Sequence, residues 1–361
     1  MFIMAKIYKF PNSKELYSKK FMKNINPNAI GDFIHKQNPH LSLRAADAMA
    51  LAIIYSTHLK LVFEEEKASI PIDVMHLGHH GVISSYLIDG PEPILVDPGP
   101  STSLQGLESG LEEKGMKLHD VCHILLTHVH LDHAGGTGHL VDRYPNIVIH
   151  VHEDGAPHMV DPGKLVSSTR RTWGDKHDNL WGEVLSVPQD RIRVWNPSTL
   201  IQIPKIRAFP TPGHIDHHVS YLVEDDGVFL TGDALGIILA PDAPTHPSCP
   251  PPSLNVPAWL RTFDDIESIG PDVIGPTHFG LHHDSVGRVR QMRLRLLALQ
   301  DRVQKAIATG DDSDRTVFES EVREELAQFR PREEIDSYFD AFAAAGDWNG
   351  MKFYLERAAM S

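Results

Sequence analysis

Thr127–Gly136, reading THVHLDHAGG, restricts the possible folds of this chain more than any other stretch. Three histidines and one aspartate (His128, His130, Asp132 and His133) fall within six positions. Cys122–Leu126, just before, reads as a short buried strand, and Ala134-Gly135-Gly136, just after, lets the chain turn tightly into a helix. The four polar side chains therefore sit on a loop at a strand's carboxyl end, where rigid scaffold aims them at one point. Imidazoles and a carboxylate suit a borderline divalent ion such as zinc. His128 and His130 point the same way in an extended segment, whereas Asp132 and His133 follow the bend, so one ion cannot easily use all four. The spacing predicts two neighbouring ions. The bland alternative is a surface loop in a histidine-rich chain.

The 361 residues are enough for one large domain or two smaller ones, and 41% hydrophobic residues is normal for a globular protein. The oddity is 23 histidines, for which metal binding is a natural sink. A formal net charge of −14 argues against general affinity for nucleic acid or an anionic membrane surface. The two cysteines, Cys122 and Cys249, make neither a disulfide framework nor a cysteine zinc site, so a reducing, cytoplasmic compartment is expected. MFIMAKIYKF at the start is too interrupted by lysine for a signal peptide. Ala45–Tyr55, the longest apolar stretch, falls far short of the roughly 20 residues of a membrane span.

Residues 1–70 carry no candidate chemistry. Ser42–Glu66 reads as a helix capped by Ser42, packed on the main domain or, less commonly for such a segment, forming a homodimer contact. Ile72–Leu77, Val82–Ile88 and Pro93–Asp97 read as successive strands, the last ending in an acidic residue followed by a turn. Thr102–Lys117 reads as an amphipathic helix and Ile147–Val151 as the next strand. Residues 153–200 are either a substrate-facing insert or a helical surface excursion. Ile201–Phe209 is a predicted strand, after which Pro212-Gly213 turns abruptly and presents His214; His217 and His218 are expected to be neighbours without a ligand role. Gly227–Leu230 completes a hairpin that ends in Thr231-Gly232-Asp233. The proline-rich segment 241–257 is a stiff loop that either shapes an entrance or merely connects. Asp272–Pro276 leads to His278. From Asp284 the pattern is helical to the end, with an apolar stripe at Val289, Met292, Leu296, Leu299 and Val303 and interleaved arginines. Those arginines read as a solvated face in preference to a phosphate-binding one.

Five strand tips thus carry metal-type residues: Asp97, the His128–His133 loop, His214, Asp233 and His278. Their order and contexts (VDPG, THVHLDH, TPGH, TGD, THFG) resemble the metallo-β-lactamase-fold superfamily over roughly residues 72–283. The resemblance implies an αββα sandwich over residues 71–283, with residues 1–70 an N-terminal helical extension and 284–361 a C-terminal helical region. It puts His128, His130 and His214 on a first ion and Asp132, His133 and His278 on a second, with Asp233 bridging and Asp97 supporting the ligands from behind. Zinc is the default, with iron or manganese accepted by the same ligands. A hydroxide between the ions would be the nucleophile, and Asp132 would orient it or carry its proton.

The fold hosts many reactions. In diiron redox members the second loop histidine is a glutamate; here it is His130. Lactonases of acyl-homoserine lactones usually carry a tyrosine shortly after the bridging aspartate; here Ala234-Leu235-Gly236 follows Asp233. The glyoxalase II branch shares the loop style, but its basic glutathione-binding signature is not found in the C-terminal region. The expectation is a cytoplasmic dinuclear hydrolase of a small-molecule ester, thioester or lactone. The rivals are a nuclease or phosphodiesterase, an iron-dependent redox or sulfur-oxidising enzyme, and a noncatalytic metal scaffold.

Overall fold

Short runs rich in Val, Ile, Leu and aromatic residues, punctuated by Gly, Pro and Asp, form ten strands in two sheets among the described residues. The computed structural model describes residues 35–36, 68–196, 201 and 203–360. In the first sheet β1 (Ser69–Asp73), β2 (Ser84–Ile88), β3 (Ile94–Val96), β4 (His123–Leu125), β5 (Val148–His152) and β6 (Ile192–Trp195) lie side by side in chain order. β1 to β3 are antiparallel, and β3 to β6 are parallel. Parallel neighbours need crossovers. These are α1 (Leu104–Glu113), then α2 (Leu131–Ala134) with α3 (Thr137–Arg143), then α4 (Ala156–Val160), α5 (Gly163–Trp173) and α6 (His177–Trp181). The second sheet has the order β10-β9-β8-β7, from β7 (Ile206–Pro210), β8 (Val219–Val223), β9 (Val228–Gly232) and β10 (Val273–Pro276), with α7 (Val256–Ile269) crossing back. α8 (Ser285–Thr309), α9 (Asp314–Leu326), α10 (Arg332–Ala341) and α11 (Ala344–Met360) follow.

Side chains alternate across each strand, and this decides the layers. Tyr86, Ile88, Val96 and Leu125 of the first sheet meet Tyr221, Val223, Val228 and Leu230 of the second. The alternate residues Leu87, Leu95 and Ile124 turn outward against Leu107 and Leu111 of α1 and Leu140 of α3. On the far side, Phe229 and Ile274 pack with Trp259 and Phe263 of α7 and Met292 and Leu296 of α8. The result is an αββα sandwich, as expected. Each such buried side chain contributes about 1.5–3 kcal/mol. At the edge where β4 ends the sheets are tied by polar bonds as well. Tyr221 Oη donates to Leu126 O at 2.7 Å, and Val219 N–H donates to Thr127 O at 2.9 Å.

Several expected elements differ at their ends. The first strand stops at Asp73 and does not reach Leu77, because Met75 and Leu77 both take φ near +53° and the chain coils into a short 3-10 turn at His76–Gly78. The strand expected at Ile201–Phe209 begins only at Ile206; Pro204 cannot donate to a ladder and Lys205 has φ +64°. The C-terminal region is helical as expected, built as four separate helices. Its apolar stripe, Val289 to Val303, is buried as expected. Its arginines are mostly committed. Arg293 bonds Asp264, Arg295 bonds Glu325, Arg302 bonds Asp314, and Arg288 donates to the carbonyls of Pro241 and Ala243. The chain divides into two units, Met1–Lys67 and Ala68–Ser361, and every strand and helix named above belongs to the second. The helix expected at Ser42–Glu66 lies outside the described residues. Among the described residues no helix is long and apolar enough to cross a membrane.

Candidate metal centre

β3, β4, β9 and β10 all end at the same edge of the sandwich, and the loop after β7 arrives there too. Asp97, one residue past β3, is fully buried and works as a hub. It accepts from Thr127 N–H at 2.8 Å, from the Thr127 hydroxyl at 2.6 Å, from the Thr277 hydroxyl at 3.1 Å and from His133 Nδ1 at 2.8 Å. One carboxylate thereby locks the loops after β4 and β10 together and fixes a proton of His133 on Nδ1, so Nε2 is the nitrogen turned to the centre.

The same logic orients other rings. His214 Nδ1 donates to Ser248 O at 2.8 Å, and His278 Nδ1 donates to Val82 O at 2.8 Å. A carbonyl only accepts, so both rings keep a proton on Nδ1 and turn Nε2 inward, bare in the neutral His214. The Thr127 hydroxyl gives its proton to Asp97, so it accepts from His128 Nδ1 at 3.0 Å, which leaves His128 Nε2 bare as well.

These atoms converge in three overlapping groups, each with donor atoms within 4.8 Å of one another: His128, His130 and His214; His128, His133 and Asp233; Asp132, His133 and His278. His130 Nδ1 lies 2.9 Å from both His128 Nε2 and His214 Nε2. Tetrahedral ligands about 2.0–2.1 Å from a zinc ion sit ~3.3 Å apart, so this cluster is close to the size of a first coordination shell. Asp233 turns one oxygen to each side. Its Oδ2 is 3.5 Å from His214 Nε2, and its Oδ1 is 3.3 Å from His133 Nε2 and 3.8 Å from His278 Nε2. Asp132 Oδ2 lies 3.2 Å from His278 Nε2 and 3.4 Å from His133 Nε2. All seven side chains singled out in the sequence therefore meet at one edge, and Asp97 stands behind them.

Burial pushes His128 well below its ordinary range and His130 to about 3, and the neighbouring imidazoles push the same way. Burial also lowers His214. On the other side burial is outweighed. Asp132, Asp233 and Asp97 hold His133 well above the ordinary histidine range, and the hydrogen bond to Asp132 raises His278. Against their own burial, Asp132 and Asp233 are held below the usual carboxylate range, chiefly by His133. One flank is thus a set of neutral imidazoles and the other a charge-balanced set of imidazoles and carboxylates. His133 Nε2 and Asp233 Oδ1 are buried without a hydrogen-bond partner. Such orphaned atoms are costly unless something of opposite character lies between them, and a divalent cation satisfies both. The donor set fits a metal.

Local backbone makes the approach possible. Gly232 has φ +50°, and a Cβ there would sit 2.7 Å from both His218 Nε2 and Thr127 Oγ1. Gly213, before His214, would drive a Cβ to within 2.3 Å of Trp259. His218, expected to be a bystander, is a support: its Nε2 accepts from Asp233 N–H at 3.1 Å and its Nδ1 bonds the Thr211 hydroxyl at 2.8 Å.

A cavity of about 290 Å³ opens on the centre, with His130, Asp132, His214 and Asp233 on its floor. Its walls come from both segments for which the sequence allows two readings. α5 and Trp181 supply one side, and Ser248 with Pro250–Ser253 of the proline-rich loop supply another. Phe342, just past α10, closes over the site with its ring 4.9 Å from that of His278. Sequence reasoning missed Phe342, Ser248 and His218. A carbonyl oxygen, a lone ring 64 positions away in a helical tail and a second adjacent histidine carry no signature of their own.

Comparison with known proteins agrees with this geometry. The family model described as "Metallo-beta-lactamase superfamily" matches residues 80–278. A probable metallo-hydrolase of Methanocaldococcus jannaschii is 28% identical over 163 residues, covering 45% of this chain and 72% of that protein. A thioesterase of Emericella nidulans is 27% identical over 184 residues, 49% of this chain and 43% of that protein. The chain thus spans less than half of the second relative. A metallo-beta-lactamase family protein from Thermus thermophilus superposes with TM-score 0.55 at 21% identity, covering 81% of this chain and 93% of that one; this likeness speaks for the fold.

Proposed function

This chain belongs to the metallo-β-lactamase superfamily of metal-dependent hydrolases, and on that premise we propose that it is a dinuclear enzyme cleaving a small-molecule ester, thioester or lactone. The observation that carries the reading is Asp233, whose two oxygens face His214 on one flank and His133 on the other, as a carboxylate shared between two ions would. His128, His130 and His214 hold the first ion; Asp132, His133 and His278 hold the second. Zinc is the ion we propose, since five imidazoles and two carboxylates suit a borderline cation; iron and manganese are the alternatives. Bound divalent ions supply Lewis acidity and a water acidified to near neutrality.

The rest is work for the chain itself. Asp97 and the carbonyls of Ser248 and Val82 keep three imidazoles in one tautomer, so the centre needs no reorganisation when substrate arrives. Asp132 is the more exposed of the two floor carboxylates, with 14% of its side chain accessible against 3% for Asp233. It is placed to orient the attacking water or shuttle its proton. Trp181 and Phe342 exclude water from the site. The similarity to a thioesterase supports an acyl substrate. The net charge of −14 supports a small molecule over nucleic acid as partner, and the cysteine usage supports a cytoplasmic setting.

The test is elemental analysis of purified protein followed by a panel of thioesters, lactones and phosphodiesters. Two equivalents of metal and turnover of an acyl substrate are expected. One equivalent, or turnover of phosphodiesters alone, overturns the proposal.

A further inference from the structure

The cavity is polarised along α5. Leu165, Thr169 and Trp173 recur every fourth residue on the face that lines it, and Lys164 joins them at the amino end. At 1.5 Å per residue, Lys164 and Trp173 are about 13 Å apart along the helix. The Trp173 end is apolar. Trp173 packs on Trp181 with ring centroids 5.7 Å apart, and Trp181 on Phe342 at 5.6 Å, next to His278.

Lys164 is the one lysine or arginine lining the cavity among the described residues. It forms no ion pair there, although Asp161 stands three residues before it; that carboxylate accepts from Gly163 N–H instead. Of the neighbouring cations, Arg170 pairs with Asp178 at 2.5 Å and Lys176 donates to Asp340 O, while the exposed Arg171 does not line the cavity. In a chain with 48 acidic against 34 basic residues, an unpaired cation facing the site is a charge awaiting a partner. The wall that carries it is braced: Ser101 and Thr102 donate to the carbonyls of Trp181 and Leu180 at 2.9 and 2.8 Å, and Thr169 Oγ1 meets His177 Nε2 at 2.9 Å.

We propose that the cavity takes an amphipathic acyl thioester or ester, with its apolar acyl group against Trp173, Trp181 and Phe342 and an anionic leaving group paired with Lys164. This rests on the hydrolase reading above. The reaction adds water across the acyl C–S or C–O bond: the acyl carbon gains the oxygen and departs as a carboxylic acid, and the leaving sulfur or oxygen takes a proton.

The experiment uses zinc-loaded protein and octanoyl thioesters of ω-mercapto acids with two to six methylenes, each beside its neutral carboxamide. For at least one spacer, kcat/KM for the carboxylate exceeds that for the amide at least fivefold. That ratio falls to about one in Lys164→Met and is kept in Lys164→Arg. A ratio near one in the wild type at every length, or a ratio unchanged in Lys164→Met, overturns the proposal. If no probe is hydrolysed, the hydrolase reading fails, and the matching non-hydrolysable thioethers decide the binding question through Trp173 and Trp181 fluorescence. Tighter binding of the carboxylate in wild type but not in Lys164→Met upholds the Lys164 site; equal binding of carboxylate and amide removes it.

Discussion

Asp347→Ala should weaken one metal step without touching the other. Asp347 lies in the first turn of α11, where a carboxylate can bond that helix's own free N–H groups. Its carboxyl instead accepts from Cys249 N–H at 2.6 Å. The preceding carbonyl, Ser248 O, is the acceptor that orients His214. Gly350, one turn on, packs so close to Cys249 O that a Cβ would overlap it. α11 therefore holds the loop that holds His214. Leaving the Cys249 N–H unsatisfied costs about 1–3 kcal/mol. At 1.4 kcal/mol per decade, full transmission to His214 would lower affinity ~5–150-fold. Because only the orienting bond is disturbed, ~10-fold is the expected loss, at the low end for partners that stand behind a ligand. The assay is zinc titration of apo protein in competition with a chromogenic chelator. One binding step should weaken about tenfold in Asp347→Ala, while the step at Asp132, His133 and His278 stays in place. Asp347→Asn keeps an acceptor oxygen and should behave like wild type. Equal weakening of both steps, or neither, in a variant with wild-type circular dichroism would refute the relay.

The same residue has a pH signature. Burial, aided by the Asp233 and Glu319 carboxylates, pushes Asp347 up to about 8. The folded protein then keeps a proton that the unfolded chain releases near pH ~4, so this contribution is present below about pH 4 and lost as pH rises through about 8; Asp347→Asn should abolish that slope in urea midpoints. Asp97→Ala strips the shared acceptor from four buried donors and should cost at least ~3 kcal/mol of stability, read as a fall in urea midpoint, or prevent folding. Chelation should lower the melting temperature and stoichiometric zinc should restore it, because ions held by the folded centre stabilise it by mass action; an unchanged melting curve would argue against the metal assignment.

The site was legible where chemistry and sequence run together. His128, His130, Asp132 and His133 are contiguous, and a strand followed by a glycine turn fixes where they point. His214, Asp233 and His278 were readable because each ends a predicted strand. Other features had no local signal. Met75 and Leu77 adopt positive φ although neither is glycine, so no breaker marks the end of β1. The arginines of α8 looked like a solvated stripe because their partners, Asp264, Glu325 and Asp314, belong to other helices. Phe342 and Asp347 act through distance in space and are ordinary helix residues in sequence.

β1 to β6 contribute His128, His130, Asp132 and His133, whereas His214, Asp233 and His278 arrive with β7 to β10. Neither sheet owns a complete set of donors. An ion gripped at this seam works as a rivet through two plates: it cannot be set until both are in position, and once set it resists their parting. Capture of the cation and docking of the sheets are thereby coupled, so a mutation that loosens the sheet–sheet core far from the edge would announce itself first as leaking metal.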